Sequence, residues 1–231
     1  MAFDPVLMIM QPRRIPEAIN SLNENVDISK VWFRAYTEPQ VLAQMNKFIK
    51  ETNYSHYIVM GDDGVVSKKA ANTILKYGEM KEYDVFTGWM NMHLEKDGSY
   101  SRESTVNVNQ LKYWTQTEGP EREDYPPWVP VEEVQNHTGI IQISMANFAM
   151  TIAERDIFLK FPLQAHINGR ASDHHWSYRL QQAGVTVHTH TDAFIKHLRR
   201  GWTPWRHNWL VGNVNPEIIY ETKWRKRETY V

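Results

Sequence analysis

The sequence contains no cysteine. That absence removes disulfides, thiolate metal sites and a cysteine nucleophile together, and it fits an intracellular protein. Nor is there a run of about 18 consecutive apolar residues, the length that marks a membrane-spanning helix. The apolar stretch within residues 1–10 has no basic segment before it, so it is not read as a secretion signal. Net charge is also nearly lacking, because 26 basic residues stand against 27 acidic ones for a formal charge of -1. A general nucleic-acid binder needs a basic face to neutralise phosphates, so no nucleic-acid partner is expected and any basic patch must be local. Internal repeats and low-complexity tracts are missing too, which leaves an ordinary globular chain.

What is present suits that reading. A chain of 231 residues with 42% hydrophobic and 23% charged content can bury one large core. Its first half alternates strand-length apolar runs with helix-like stretches, the pattern of βαβ units around a parallel sheet. Strands are predicted at residues 6–10, 31–36, 57–60 and 84–88, and helices at 16–23, 39–51 and 68–77. In the second helix Val41, Leu42, Met45, Phe48 and Ile49 recur at three- and four-residue intervals, which gives it one buried face. Periodicity fades at about 96–137, where prolines alternate with Tyr113, Trp114, Tyr125 and Trp128; this is read as a long loop or insertion. Apolar patterning resumes at 139–144, and helical character is expected through 146–161. A helix at 173–183 should end at Gly184, followed by strand-like segments at 185–190 and 193–198.

The strongest local feature is Gly61-Asp62-Asp63-Gly64, directly after the apolar run ending at Met60. In an open α/β sheet ligands gather beyond the carboxyl ends of strands, so two carboxylates there face the place for a substrate. Adjacent carboxylates repel, and a divalent cation makes holding both ionised favourable. Taken alone, the tetrapeptide reads first as a polar turn, since Asp and Gly are common turn formers.

Downstream residues add context. Asp173, Arg179, Gly184 and His197 follow in an order and spacing that resembles the closing half of family 2 and related GT-A glycosyltransferases. Those enzymes carry an Asp-x-Asp-type element after an early strand. A Glu-Asp pair follows, then an arginine six residues on, a glycine five further, and a histidine after the next strand. Met10-Gln11-Pro12-Arg13 resembles their exit from the first strand, and Phe86-Thr87-Gly88 their fourth-strand ending. The resemblance spans roughly residues 5 to 198 around the insertion. It departs at Ser172, where the family has the Glu of its Glu-Asp pair, and at Gly64, which occupies a usual acidic position.

The resemblance implies a GT-A-like three-layer α/β/α sandwich with a mostly parallel central sheet over residues 1–198. It implies a transferase moving a sugar from a nucleotide-sugar donor, UDP-, GDP- or dTDP-linked, onto a glycan, lipid or protein hydroxyl. Mn²⁺ or Mg²⁺ would be held by Asp62, Asp63 and His197, with the direct ligand of the two aspartates left open. Asp173 would be the base of an inverting displacement, although a carboxylate at a helix N-terminus is stabilised as an anion and so weakened as a base. Pro12, Arg13 and Tyr36 occupy places where such enzymes hold base and ribose. Arg179 is given a supporting role, pairing with a carboxylate. His188 and His190 share one face of a strand and could in principle chelate a metal, but are given a structural role or one supporting the site from behind.

Beyond Leu198 the chain turns basic and tryptophan-rich, with Trp202, Trp205 and Trp209 spaced to share a helix face. A lid over donor phosphates, a contact with an anionic membrane surface and a packing segment all fit 199–231. The expected location is cytoplasmic, with peripheral membrane attachment as one use of that tail. Two other functions stand beside the transferase. One is a non-catalytic nucleotide- or glycan-binding module on the same scaffold. The other is a sugar-phosphate nucleotidyltransferase, disfavoured because the exit Gln11-Pro12-Arg13-Arg14 lacks the glycines of a phosphate loop.

Overall fold

The computed structural model describes residues 2–10, 15–34, 38–91, 104–106, 129–164 and 172–198. Three strands open the chain: β1 (Pro5–Met10), β2 (Ser29–Phe33) and β3 (His56–Gly61). They are connected by α1 (Pro16–Asn25) and α2 (Glu38–Glu51). β1 pairs in parallel with both β2 and β3. The two crossovers leave in opposite directions along the sheet, and right-handed connections therefore put α1 and α2 on opposite faces. With helices on both faces, the interior strands must be apolar throughout, and Val6–Ile9 and Tyr57–Met60 are wholly buried. The α2 face read from sequence is the buried one: Val41, Leu42, Met45 and Ile49 are at most 1% exposed.

The chain continues through β4 (Gly64–Val66), α3 (Lys68–Gly78) and β5 (Val85–Phe86). Ser67 caps α3 by accepting from the Ala70 N–H at 3.1 Å. Then follow α4 (Val131–Asn136), β6 (Ile140–Ile143), β7 (Thr151–Glu154), α5 (Arg155–Lys160), α6 (Ser172–Gln182), β8 (Val187–His190) and β9 (Ile195–His197). The main sheet has the order β2-β1-β3-β7-β5-β8-β6, and β4 pairs with β9 in a separate two-stranded ribbon. Strands β1, β2, β3, β5 and β8 point one way, while β7 and β6 run against them. The architecture is the expected mostly parallel α/β/α sandwich, with an antiparallel strand at its centre.

That central strand is where expectation and structure differ. Residues 146–161 were expected to be helical. Instead 145–150 is irregular, 151–154 is β7 and only 155–160 is a helix. Thr151, Ile152 and Ala153 are all buried between β3 and β5, and a strand apolar on both faces has no alternation to set it apart from a buried helix. In the stretch read as a loop, 131–136 forms α4; residues 96–103 and 107–128 lie outside the described part. The end of α6 follows expectation. Gly184 has φ +74°, its N–H reaches the Gln181 carbonyl at 3.0 Å, and Val185 N–H reaches Leu180 at 3.0 Å. This is the paired bonding of a glycine-terminated helix.

Helix α6 is fixed to the core by Trp176. Its ring stacks on Phe158 at 5.1 Å and its indole N–H donates to the Phe161 carbonyl at 2.7 Å. Among the described residues no helix is long and apolar enough to cross a membrane.

Candidate functional site

The acidic turn lies where β3 ends. Strand β4 begins right after it and pairs antiparallel with β9, in a register that sets Gly64 opposite His197. Helix α1 holds this ribbon: Ser21 Oγ accepts from Val66 N–H at 3.0 Å, and Asn25 Nδ2 donates to the Val66 carbonyl at 2.9 Å. Lys196 pairs with Glu17 of α1 at 3.2 Å. As a result His197 arrives beside the turn although 134 residues separate it from Asp63. Its Nε2 stands 3.3 Å from Asp63 Oδ2, and both side chains are largely buried. The turn and strand end are tied again by Leu198 N–H to the Asp63 carbonyl, 2.8 Å.

The imidazole orientation is informative. Nδ1 lies 3.1 Å from the Asn91 carbonyl oxygen, which can only accept, so Nδ1 carries a proton and donates. Nε2 is then the nitrogen directed at a carboxylate. Its lone pair would face negative charge unless a proton or a cation lies between them. Backbone-anchored Nδ1–H with Nε2 directed inward is also how proteins orient a metal-binding histidine.

The glycine at 64 has a packing reason. A Cβ there would come within 2.6 Å of Met60 Cε, 2.9 Å of Ile195 Cγ2 and 3.1 Å of Met90 Cε. Position 64 thus faces the core rather than the site, and an acid there could not reach a ligand. Asp62 is buried, 1% exposed. Asp63 is the aspartate set against His197. Of the expected Asp62, Asp63 and His197, the contact between Asp63 and His197 is direct; among the described residues no group of three or more His, Cys, Asp or Glu side chains is arranged to hold a metal.

Asp173 begins the first turn of α6, where its Oδ1 accepts from the His174 N–H at 2.8 Å. It is joined to the acidic turn through segment 144–150. Ser177 Oγ donates to the Asp173 carbonyl at 2.6 Å and accepts from Ala146 N–H at 2.9 Å, while Phe148 O accepts from Gly61 N–H at 3.0 Å. Sequence reading missed a neighbour here. The Ser172 hydroxyl donates to Glu38 Oε1, and both residues are buried. A carboxylate therefore does stand beside position 172, delivered from the start of α2 rather than from the adjacent residue.

Other expectations resolve individually. Pro12, Arg13 and Tyr36 lie outside the described residues, as does 199–231. Arg179 donates to the Pro162 carbonyl at 2.7 Å and lies over the Phe161 ring, so its partners are a carbonyl and an aromatic face rather than a carboxylate. Burial lowers its pKa. His188 and His190 pack against Tyr83 and Tyr77 at 4.9 and 5.2 Å, in keeping with a structural role.

Burial holds the pKa of His188, His190 and His56 below the ordinary histidine value of 6.5, against weaker opposing pulls from nearby carboxylates. These groups stay neutral in the fold where the unfolded chain would already bind protons. Their contribution to stability is therefore fully present above pH 6.5 and is lost as pH falls below it through the lowered native pKa. Melting curves should show a lower Tm at pH 5 than at pH 7.5, with a smaller drop for His188→Phe; a Tm independent of pH over that range would contradict this.

Gly88 packs closely against segment 144–150 and the start of β9. A Cβ there would stand 2.5 Å from the Ala149 carbonyl oxygen, 2.7 Å from Ile195 Cδ1 and 3.1 Å from the Ala193 carbonyl. Two of these are backbone atoms that cannot swing aside. Gly88→Ala should cost about 1–3 kcal/mol, a Tm loss of several degrees; an unchanged Tm would contradict the packing described.

The fold so defined is GT-A-like. No family model and no curated protein sequence matches the chain. Solved structures do resemble it. "A197 from STIV" aligns with a TM-score of 0.51 and 14% identity over 80% of this chain and 81% of that one. "GalNAc-T7 with UDP, GalNAc and Mn2+" aligns at 0.50 with 11% identity, over 90% of this chain but 47% of that longer one. The inositol-1-phosphate CTP transferase from T. maritima falls to 0.47 with 7% identity over 92% and 96% of the two chains, a level from which nothing further is read.

Proposed function

We propose that this protein is a metal-dependent glycosyltransferase that moves a sugar from a nucleotide-sugar donor to an acceptor hydroxyl with inversion. The observation that carries the reading is the meeting of Asp63 and His197, 3.3 Å apart at the carboxyl end of a sheet strand, with the imidazole already turned by the Asn91 carbonyl. Two ligands on neighbouring vertices of an octahedral cation, each about 2.1 Å from it, lie about 3.0 Å apart, so this pair fits one ion. A GT-A-like neighbour was solved with UDP, GalNAc and Mn²⁺, which supports a nucleotide sugar and a divalent cation as the ligands of such a fold.

Mn²⁺ or Mg²⁺ bound there would engage the donor diphosphate and offset the charge of the leaving group. The remaining steps belong to the chain. Asp173 takes the proton of the acceptor hydroxyl as that oxygen bonds to the anomeric carbon, and the bond from that carbon to the diphosphate breaks. Glu38, through Ser172, fixes the start of the helix that presents Asp173. Residues 11–14 and Tyr36 would hold the nucleotide, and 199–231 would close over the donor or touch an anionic membrane surface.

Incubation with UDP-, GDP- and dTDP-sugars and Mn²⁺ tests the reading. Slow release of free sugar and nucleoside diphosphate from one donor, dependent on the metal, is expected. Metal-dependent binding without any release would instead leave a non-catalytic nucleotide-sugar module.

A further inference from the structure

Segment 144–150 carries a polar atom that the fold leaves unsatisfied. Asn147 is 4% exposed, and its carbonyl is fully used: it accepts from Thr87 Oγ1 at 2.9 Å, from Ala149 N–H at 2.6 Å and from Thr151 Oγ1. The side-chain Nδ2 donates to Thr105 Oγ1 at 3.0 Å. Its Oδ1 has no hydrogen-bond partner. A buried acceptor without a donor is unfavourable, and a leucine of nearly the same shape would avoid the penalty. The fold thus uses the amide nitrogen, through Thr105, and leaves the amide oxygen without a role.

A second observation falls in the same stretch. Met150 has φ 60°, the one positive φ outside glycine among the described residues. Such backbone persists where its surroundings force it and collects at ligand sites. Here the forcing contacts are visible: Ala149 O accepts from Gly88 N–H at 2.9 Å while Phe148 O accepts from Gly61 N–H at 3.0 Å. The strained turn is thus bolted to the ends of β5 and β3.

Its place decides what it could bind. On one side Gly61 leads into the acidic turn, and a Cβ at 61 would stand 3.1 Å from Asp63 Oδ1. On the other, Ala146 is bonded to Ser177, one turn along the helix from Asp173. Segment 144–150 is thus bonded to both neighbourhoods, and a sugar reaching from a diphosphate at Asp63 and His197 to an acceptor at Asp173 would pass along it. We propose that Asn147 is a specificity-determining residue for the transferred sugar, its Oδ1 accepting a hydrogen bond from a sugar hydroxyl or amide N–H. This rests on the transferase reading above and adds to it the group that reads the sugar rather than the nucleotide.

Calorimetric titration of the full chain with Mn²⁺, using UDP, GDP and dTDP and then UDP-glucose, UDP-N-acetylglucosamine, GDP-mannose and dTDP-glucose, separates the two ideas. With Asn147→Leu, the preferred nucleotide sugar should bind about tenfold or more weakly, while its nucleoside diphosphate binds as to the wild type. Asn147→Ala gives the same comparison should leucine prevent folding. Unchanged affinity for the sugar nucleotide, or equal weakening of nucleotide and sugar nucleotide, would overturn the role of Asn147 and leave the transferase reading standing. Failure of the wild type to bind any of these ligands with Mn²⁺ would overturn both.

Discussion

Asp63→Ala should abolish the metal-dependent part of nucleotide-sugar binding while leaving the fold in place. A ligand present at 100 times its Kd stabilises the folded form by about 2.7 kcal/mol, which for a chain of this size raises Tm by about 5–10 °C. In the wild type that rise should require both Mn²⁺ and the nucleotide sugar. In the variant it should shrink to the metal-free value, and metal-dependent donor hydrolysis should fall by at least about 10²-fold. The backbone role of the turn survives the substitution, since Leu198 N–H bonds to the carbonyl of residue 63 and not to its side chain. The metal response of the variant should therefore be read against its own unliganded Tm, which loses the Asp63–His197 contact but keeps this backbone tie. Asp62→Ala is the informative comparison. Asp62 is buried in the turn whereas Asp63 faces the histidine, so the first loss should appear largely in stability and the second in metal response. A Mn²⁺-dependent shift of wild-type size in Asp63→Ala would remove this residue from the site.

Asp173→Asn should show the complementary pattern, with donor binding retained and transfer to an acceptor reduced by about 10²–10⁴-fold. Asparagine keeps the shape and can still accept from the His174 N–H that Asp173 Oδ1 engages at 2.8 Å, so the start of α6 should be preserved. What it lacks is the ability to take a proton. The Ser172–Glu38 contact at the helix start does not involve the Asp173 side chain and should also be retained. Single-turnover transfer assays, once an acceptor is in hand, check the prediction. Near-normal transfer by Asp173→Asn would mean that another group takes the proton.

The sequence revealed those parts of the molecule whose cause is local. Strands β1 and β3 stand out because a sheet covered on both faces needs unbroken apolar runs, and α2 because its apolar residues repeat with the helical period. Gly184 marked the end of α6 through its own backbone requirement. The antiparallel strand β7 was hidden, since Thr151, Ile152 and Ala153 are buried on all sides and carry no alternation. The three-residue β4 is too short to show any period, yet its pairing with β9 is what delivers His197 to Asp63. Order and spacing of Asp63 and His197 hinted at that meeting without supplying the ribbon that makes it.

Partners contributed from distant chain positions were the least visible. Glu38 reaches Ser172 across 134 residues, and no local motif announces it. Asn147 gives no signal in sequence at all, because an asparagine in an irregular stretch reads as a turn residue until its burial is known. The departures at Ser172 and Gly64 also changed meaning in three dimensions. Gly64 is dictated by Met60, Ile195 and Met90, and the Glu missing at 172 has a carboxylate in its neighbourhood after all.

The proposed metal centre requires Nε2 of His197 and Oδ2 of Asp63 to grip one cation. Electron spin-echo spectroscopy of Mn²⁺ bound with UDP to protein carrying ¹⁵N-labelled histidine reads that bond directly. A coupling to one histidine nitrogen is expected in the wild type and should vanish in His197→Gln. Absence of any histidine coupling in the wild type, or its persistence in His197→Gln, would contradict the proposed centre.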